Sequence, residues 1–224
     1  MKTGIFSIGN AGRVLCGGIS FSVERGECVL LCGANGSGKT TLMRTLAGLQ
    51  KPLDGENFGE DLKVTMLPTR VPKVKGFTVR EFMLLPKDVA PAGAEKALAR
   101  LKADAFMDRD LSTLSDGEFQ KVCIASGLAR RSDLLLLDEP ASFLDLENRR
   151  SVLLAIRDAA HSSGTAIMFS CHDIHDALTV ADRTLAFSAP DAQGIVRLVE
   201  ATGAEAMKQA ALSVFSDKSL TFMA

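Results

Sequence analysis

The sequence predicts an α/β fold with a mainly parallel sheet, an antiparallel β edge and one helical insertion. Three observations predict it. The runs Cys28-Val29-Leu30-Leu31-Cys32, Leu134-Leu135-Leu136-Leu137 and 165–170 are almost wholly apolar, as a strand covered on both faces must be. Segments of helical period lie between them, which is the alternation of a layered α/β protein. The 224 residues are 46% apolar and 24% charged, enough for one sizeable core and too hydrophobic for a disordered chain.

In chain order, residues 12–16 read as β, and Ile19-Ser20-Phe21-Ser22-Val23 alternates strictly, so the two are expected to form a half-buried antiparallel hairpin before the polar turn Glu24-Arg25-Gly26-Glu27. The buried strand 28–32 feeds a glycine-rich loop and then a helix over 40–47, with Leu42, Met43 and Leu46 on one side, Gly48 as its terminator and Pro52 just beyond. Residues 63–67 predict another strand. Thr78-Val79-Arg80-Glu81 is a capping box that opens a helix. From 78 to 131 the composition shifts toward Ala, Leu and charge, which marks an inserted helical subdomain within a single domain spanning 1–224. It is expected to hold one helix near 94–103 and another beginning at Ser115, whose Glu118 completes a second capping box. After the strand 134–137 come an amphipathic helix over 146–161 stopped by Gly164, the strand 165–170, a hairpin of 184–188 with 195–199, and a last helix capped by Thr202 and Glu205.

Composition excludes several functions. Lys and Arg (26) nearly cancel Asp and Glu (27), leaving a formal charge of −1 and no general cationic field for nucleic acid or anionic lipid. The aromatics are 12 Phe with no Tyr or Trp, so stacking platforms for single strands are scarce, and no nucleic-acid partner is expected. No run approaches the ~18 apolar residues of a membrane span, and residues 1–10 lack the apolar stretch of a secretion signal, so neither export nor direct membrane insertion is expected. The five cysteines include no CxxC pair and sit largely in apolar runs, which suits a reducing cytoplasmic compartment.

The chemistry begins at Gly33-Ala34-Asn35-Gly36-Ser37-Gly38-Lys39-Thr40-Thr41, which fits the GxxxxGK[ST] phosphate-binding loop between a strand and a helix. Its glycines let backbone N–H groups turn in around a β-phosphate, and the helix start adds its positive end. Lys39 supplies a cation for the β- and γ-oxygens, and the Thr40 hydroxyl suits Mg²⁺. Leu134–Leu137 then ends in Asp138 and Glu139, a second metal ligand and a base for the attacking water.

Leu114-Ser115-Asp116-Gly117-Glu118, followed by Phe119-Gln120-Lys121, resembles the signature motif of ABC-type ATPases, usually LSGGQ, and stands ahead of Asp138 as in that family. Ala141-Ser142-Phe143-Leu144-Asp145 resembles its D-loop, with Ser142 and Asp145 as the polar members. Ser170-Cys171-His172-Asp173 resembles its switch-histidine loop, with His172 in the catalytic position, whereas His161 and His175 read as ordinary surface or core residues. The resemblance runs from about residue 12 to 199. It implies a phosphate-binding-loop core with a helical subdomain, ATP and Mg²⁺ as ligands, and a homodimer or paired cassette sandwiching two ATP. Each site would use Lys39, Asp138 and Glu139 of one copy with Ser115 and Gly117 of the other. It further implies a transmembrane permease as partner, a place on the cytoplasmic face of the membrane, and, from the style of residues 114–121 and 139–149, import of iron siderophores, haem or cobalamin. A soluble assembly or regulatory ATPase of the same family is the alternative.

Four features depart from the family pattern. The adenine-stacking aromatic expected near Ile8-Gly9-Asn10 is missing, with only Phe6 nearby. Thr69 stands at the lid position usually held by Gln. Asp116 and Glu118 replace Gly and Gln beside a phosphate site, so their side chains are expected to point away or to pair with Lys121. The 30 residues between Lys39 and Thr69 are fewer than usual, which predicts a trimmed β-hairpin there.

Overall fold

The computed structural model describes residues 1–10, 12–58, 61–171, 173–190 and 196–214. Its main sheet has six strands in the spatial order β5-β6-β7-β3-β8-β9. These are β3 (Cys28–Cys32), β5 (Val64–Leu67), β6 (Leu134–Leu137), β7 (Ala166–Ser170), β8 (Arg183–Phe187) and β9 (Leu198–Thr202). All neighbours are parallel except the β8–β9 hairpin at one edge. Every residue of β3, β6, β7 and β8 is buried, which is why β3 and β6 are wholly apolar and β7 and β8 largely so, with Ser170, Arg183 and Thr184 as buried polar exceptions. Alternate residues of β3 serve two cores: Leu30 and Cys32 face one, Val29 and Leu31 the other. Each fully buried leucine contributes about 2 kcal/mol of hydrophobic stabilisation.

The first core lies under the helices α2 (Val79–Leu84), α3 (Pro91–Arg100), α4 (Asp116–Ala129), α5 (Leu146–Ser163), α6 (Ile174–Leu178) and α7 (Ala204–Val214). The second is covered by α1 (Lys39–Leu46) and by a three-stranded antiparallel sheet, β2-β1-β4, formed by β1 (Phe6–Asn10), β2 (Arg13–Ile19) and β4 (Asp54–Gly55). In the short 39–69 span the described residues hold the two-residue β4, which pairs with β1 rather than forming a hairpin of its own. Arg183 ties the sheet's far edge together: its Nε donates to Glu27 Oε1 at 2.7 Å, and its Nη atoms reach Glu200 and the Ser22 carbonyl. Among the described residues no helix is long and apolar enough to cross a membrane.

The two predicted capping boxes form as read, Thr78 with Glu81 at α2 and Ser115 with Glu118 at α4. Gly164, at φ 73°, ends α5 in the left-handed conformation that favours glycine. Two expectations need correction. The first hairpin pairs β1 with β2 around Gly12 (φ 80°), not 12–16 with 19–23. The alternation of Ile19, Phe21 and Val23 is a real burial pattern, but its backbone partner is the chain start: the Thr3 amide donates to the Phe21 carbonyl and Val23's to Met1's. Thr202 ends β9 rather than capping the last helix, because Gly203, at φ 82°, intervenes before α7. The short α6 has no forerunner in the sequence reading. The expected strand start at 195 lies outside the described residues, and β9 begins at Leu198.

Candidate functional site

The site lies at the carboxyl ends of β3, β6 and β7, adjacent parallel strands, where an α/β sheet binds its ligands. The loop after β3 is shaped by glycines that other residues cannot replace. Gly36 and Gly38 have φ of 77° and 110°, and a Cβ on Gly33 would stand 2.5 Å from Ser37 Oγ. No side chain caps α1, whose N-cap is Gly38, so its first amides are left to the loop. Lys39 is only 8% exposed, and its Nζ donates to the carbonyls of Gly33 (2.8 Å) and Ala34 (3.1 Å). Burial holds this ammonium below the ordinary lysine pKa, while the charges of Glu139 and Asp138 pull it back up. Ser37 Oγ is buried with no hydrogen-bond partner, an unmet polar atom within the loop.

Asp138, 4% exposed, is held from two sides: Thr40 Oγ1 donates to its Oδ2 and Ser170 Oγ to its Oδ1, each at 2.8 Å. Ser170 Oγ also accepts the Glu139 amide at 2.9 Å. Glu139 adopts φ 52°, a rare left-handed conformation for a residue other than glycine, and this turn carries its half-buried side chain beyond the strand end. It borders a cavity of about 960 Å³ shared with Ser142, Arg149, Cys171 and Asp173. Hard oxygen donors on Thr40 and Asp138, beside a phosphate loop, suit Mg²⁺, which takes one or two protein oxygens and completes its shell with phosphate and water.

Thus Lys39, Thr40, Asp138 and Glu139 come together at one sheet edge, whereas Ser115-Asp116-Gly117-Glu118 open α4 elsewhere. There a Cβ on Gly117 would meet Leu144 and the Phe143 carbonyl at 3.3 and 3.4 Å, placing the signature residues against the 141–145 loop. Their acidic side chains are neutralised, but not by Lys121, which donates to Asn148 Oδ1. Asp116 pairs with Lys73 at 2.6 Å, and Glu118 accepts from the Ser115 amide (2.8 Å) and Arg109 (3.1 Å), so both carboxylates are held below their ordinary pKa by hydrogen bonds. Asp145 caps α5, accepting the Asn148 amide at 2.8 Å, while Ser142 is exposed. Leu114 is buried. Thr69 borders a cavity of about 450 Å³ with Gln120 and Phe143. Phe6 is wholly buried and cannot stack on a base. His172 lies outside the described residues; its neighbour Asp173 is bridged by Arg149 at 2.8 Å. His161 bonds Asp182 at the surface. The five cysteines are free and buried, and desolvation pushes the thiols of Cys28, Cys32 and Cys123 up to about 12, so they pack as small hydrophobes.

Two residues of this site escaped the sequence reading. Ser170 appeared there only as part of the switch-histidine resemblance, yet the signal was present: β6 and β7 both end an apolar run in a polar residue, and their register, Leu137 beside Phe169, sets Asp138 next to Ser170. Gln120, buried on α4, donates to the Pro140 carbonyl at 3.0 Å and fixes the turn after Glu139.

A phosphate loop, a hydroxyl-braced Asp-Glu pair and a separate helix-opening signature define an ATP-binding cassette. The profile of the ABC transporter family matches residues 16–142, and the chain belongs to that family. An ABC transporter ATP-binding protein of Halobacterium salinarum is 39% identical over 188 residues, covering 75% of this chain and 81% of its own. A zinc import ATP-binding protein, ZnuC of Cereibacter sphaeroides, is 35% identical over 171 residues, covering 75% and 70%. The dimeric structure of a post-hydrolysis ATP-binding cassette, MJ0796, bound to ADP and Pi, shares the fold with a TM-score of 0.73 at 19% identity, over 90% of this chain and 98% of that one. The protein is an ATP-binding, ATP-hydrolysing member of its family.

Proposed function

We propose that this ATPase is the energising subunit of an importer, seated on the cytoplasmic face of a membrane and driving a separate transmembrane permease. Residues 1–224 form one cassette, with 78–131 as its helical subdomain. Two copies, or this chain and a paired cassette, close head to tail on two ATP. The observation that carries this reading is the separation of the motifs. Lys39, Thr40, Asp138 and Glu139 share a sheet edge, while Ser115 and Gly117 stand at the start of α4 beside the 141–145 loop. A second copy is then needed to bring a helix N-terminus to the γ-phosphate.

In this reading the backbone of 33–41 cradles the phosphates and Lys39 leaves its carbonyl partners for the β- and γ-oxygens. Thr40 and Asp138 would hold Mg²⁺, which when bound would neutralise charge on the phosphate oxygens. Glu139 orients water in line with the γ-phosphorus and accepts its proton. The bond from that phosphorus to the β–γ bridging oxygen then breaks, giving ADP and phosphate. The family resemblance assigns His172 to the γ-phosphate, and Ser142 and Asp145 belong to the loop that would face the second copy. For cargo, the sequence style suggests iron siderophores, haem or cobalamin, while relatives with a named cargo import zinc or spermidine and putrescine. We propose a metal, as ion or chelate.

Glu139→Gln keeps the phosphate loop and removes the base, so it should bind ATP and elute as an ATP-dependent dimer. A variant that stays monomeric at saturating ATP and Mg²⁺ refutes the sandwich. Pull-down of the same variant from detergent-solubilised membranes of the native host should recover a polytopic membrane protein. Recovery of soluble partners only, alongside a control transporter that keeps its permease, would instead favour the assembly-factor function.

A further inference from the structure

We propose that Lys73 is a positioning residue for the signature turn, holding residues 114–117 in the attitude that meets a second copy's phosphate and cancelling the charge of Asp116 there. The proposal rests on the head-to-tail sandwich. Lys73 Nζ makes two bonds to this turn. It donates to the Leu114 carbonyl at 2.8 Å and to Asp116 Oδ1 at 2.6 Å, and it lies 5.8 Å from the Phe119 ring centroid. The turn is thereby clamped on both sides of Ser115, the N-cap whose hydroxyl accepts the Glu118 amide.

Two further facts distinguish this clamp from an ordinary surface ion pair. First, Asp116 occupies the first turn of α4, where the family usually has glycine, and its side chain is 78% exposed while that of Lys73 is 25% exposed. In an isolated chain such a pair contributes little, because water screens it. Closure of two copies removes that water and would bring a carboxylate toward a γ-phosphate, so an uncompensated Asp116 would oppose the approach. Second, the segment bearing Lys73 touches the other loop expected at the interface: the Arg70 guanidinium stands 5.6 Å from the Phe143 ring centroid. Residues 69–73 therefore join the lid position, the signature turn and the 141–145 loop.

The test is a double-mutant cycle in the Glu139→Gln background, with ATP–Mg²⁺ dimerisation constants read by sedimentation velocity. Lys73→Met should weaken the dimer by about tenfold or more, since each dimer contains two such turns. Adding Asp116→Asn should recover most of that loss while leaving the melting temperature of the Lys73→Met chain unchanged, because Asp116 is 78% exposed in the monomer. A merely structural lysine would lower the melting temperature and would not be rescued by Asn. Equal dimerisation constants for parent and Lys73→Met overturn the proposal, as does a loss that Asp116→Asn leaves intact. A parent that never dimerises overturns the sandwich itself, and the positioning role with it.

Discussion

Ser170→Ala is the sharpest probe of the Asp-Glu corner. The hydroxyl is wholly buried and makes two bonds, donating to the Asp138 carboxylate at 2.8 Å and accepting the Glu139 amide at 2.9 Å. A hydrogen bond to a charged group contributes about 1.5–3 kcal/mol and one between neutral groups about 1 kcal/mol. Losing both costs about 3 kcal/mol, with Asp138 left 4% exposed and short of one donor. At ~2–4 °C per kcal/mol for a chain of this size, the melting temperature should fall by about 6–12 °C. Activity should fall further than stability explains, because the amide that Ser170 holds belongs to Glu139, whose φ of 52° must be stabilised by its surroundings. The assay is calorimetric melting combined with steady-state ATPase kinetics, and kcat should drop by about tenfold with KM little changed. A double-mutant cycle with Asp138→Asn isolates the pair and should give a coupling energy of about 1–2 kcal/mol. Zero coupling, or a Ser170→Ala protein that melts and turns over like the parent, would refute the reasoning.

Two other outcomes follow from the same geometry. Gly33→Ala puts a methyl 2.5 Å from Ser37 Oγ and 3.0 Å from Phe187 Cβ, so the Ser37 hydroxyl must turn away and the loop shift; ATP affinity measured by fluorescence titration should fall by roughly tenfold, an overpacking cost of order 1–3 kcal/mol, and unchanged affinity would mean the loop tolerates the methyl. For Glu118, the Ser115 amide and Arg109 hold the carboxyl below its ordinary 4.5, so its contribution to stability is complete above that value and disappears as pH falls through the lowered one. The melting difference between wild type and Glu118→Ala should therefore narrow from pH 7 to pH 3, and a difference that widens would contradict the assignment.

What the sequence revealed and what it hid divide along a physical line. Features set by local chemistry were legible: the glycine loop, the two capping boxes, the all-apolar strands and the stop at Gly164 each depend on residues within a few positions of one another. Features set by pairing across the chain were not. Alternation at 19–23 declares a buried face but cannot say that its backbone partner is residues 1–3 rather than 12–16. Lys121 lies three residues from Glu118 on the same helix and was the natural countercharge on sequence spacing, yet its ammonium goes to Asn148 on α5, and the charges that meet the signature acids arrive from Lys73 and Arg109. In the candidate site, Lys39, Thr40, Asp138 and Glu139 were named from motifs, whereas the role of Ser170 needed the β6–β7 register.

The strand order explains why the corner can be built from residues so far apart. Spatially β6, β7 and β3 are consecutive, so Asp138, Ser170 and the loop before Lys39 stand side by side although about a hundred residues separate the first from the last. The helices α2 to α4 are inserted between β5 and β6, which are themselves parallel neighbours, so the insertion leaves the register of β6 with β7 untouched. Its signature end communicates with that edge through a few polar ties: Gln120 to the Pro140 carbonyl, Lys121 to Asn148, and the contact of Gly117 with the 141–145 loop. Pro140 follows Glu139 directly, so a displacement of α4 reaches the residue after Glu139 through the 3.0 Å hydrogen bond from Gln120. Gln120, 6% exposed, is therefore a short, buried tie between α4 and the turn after Glu139.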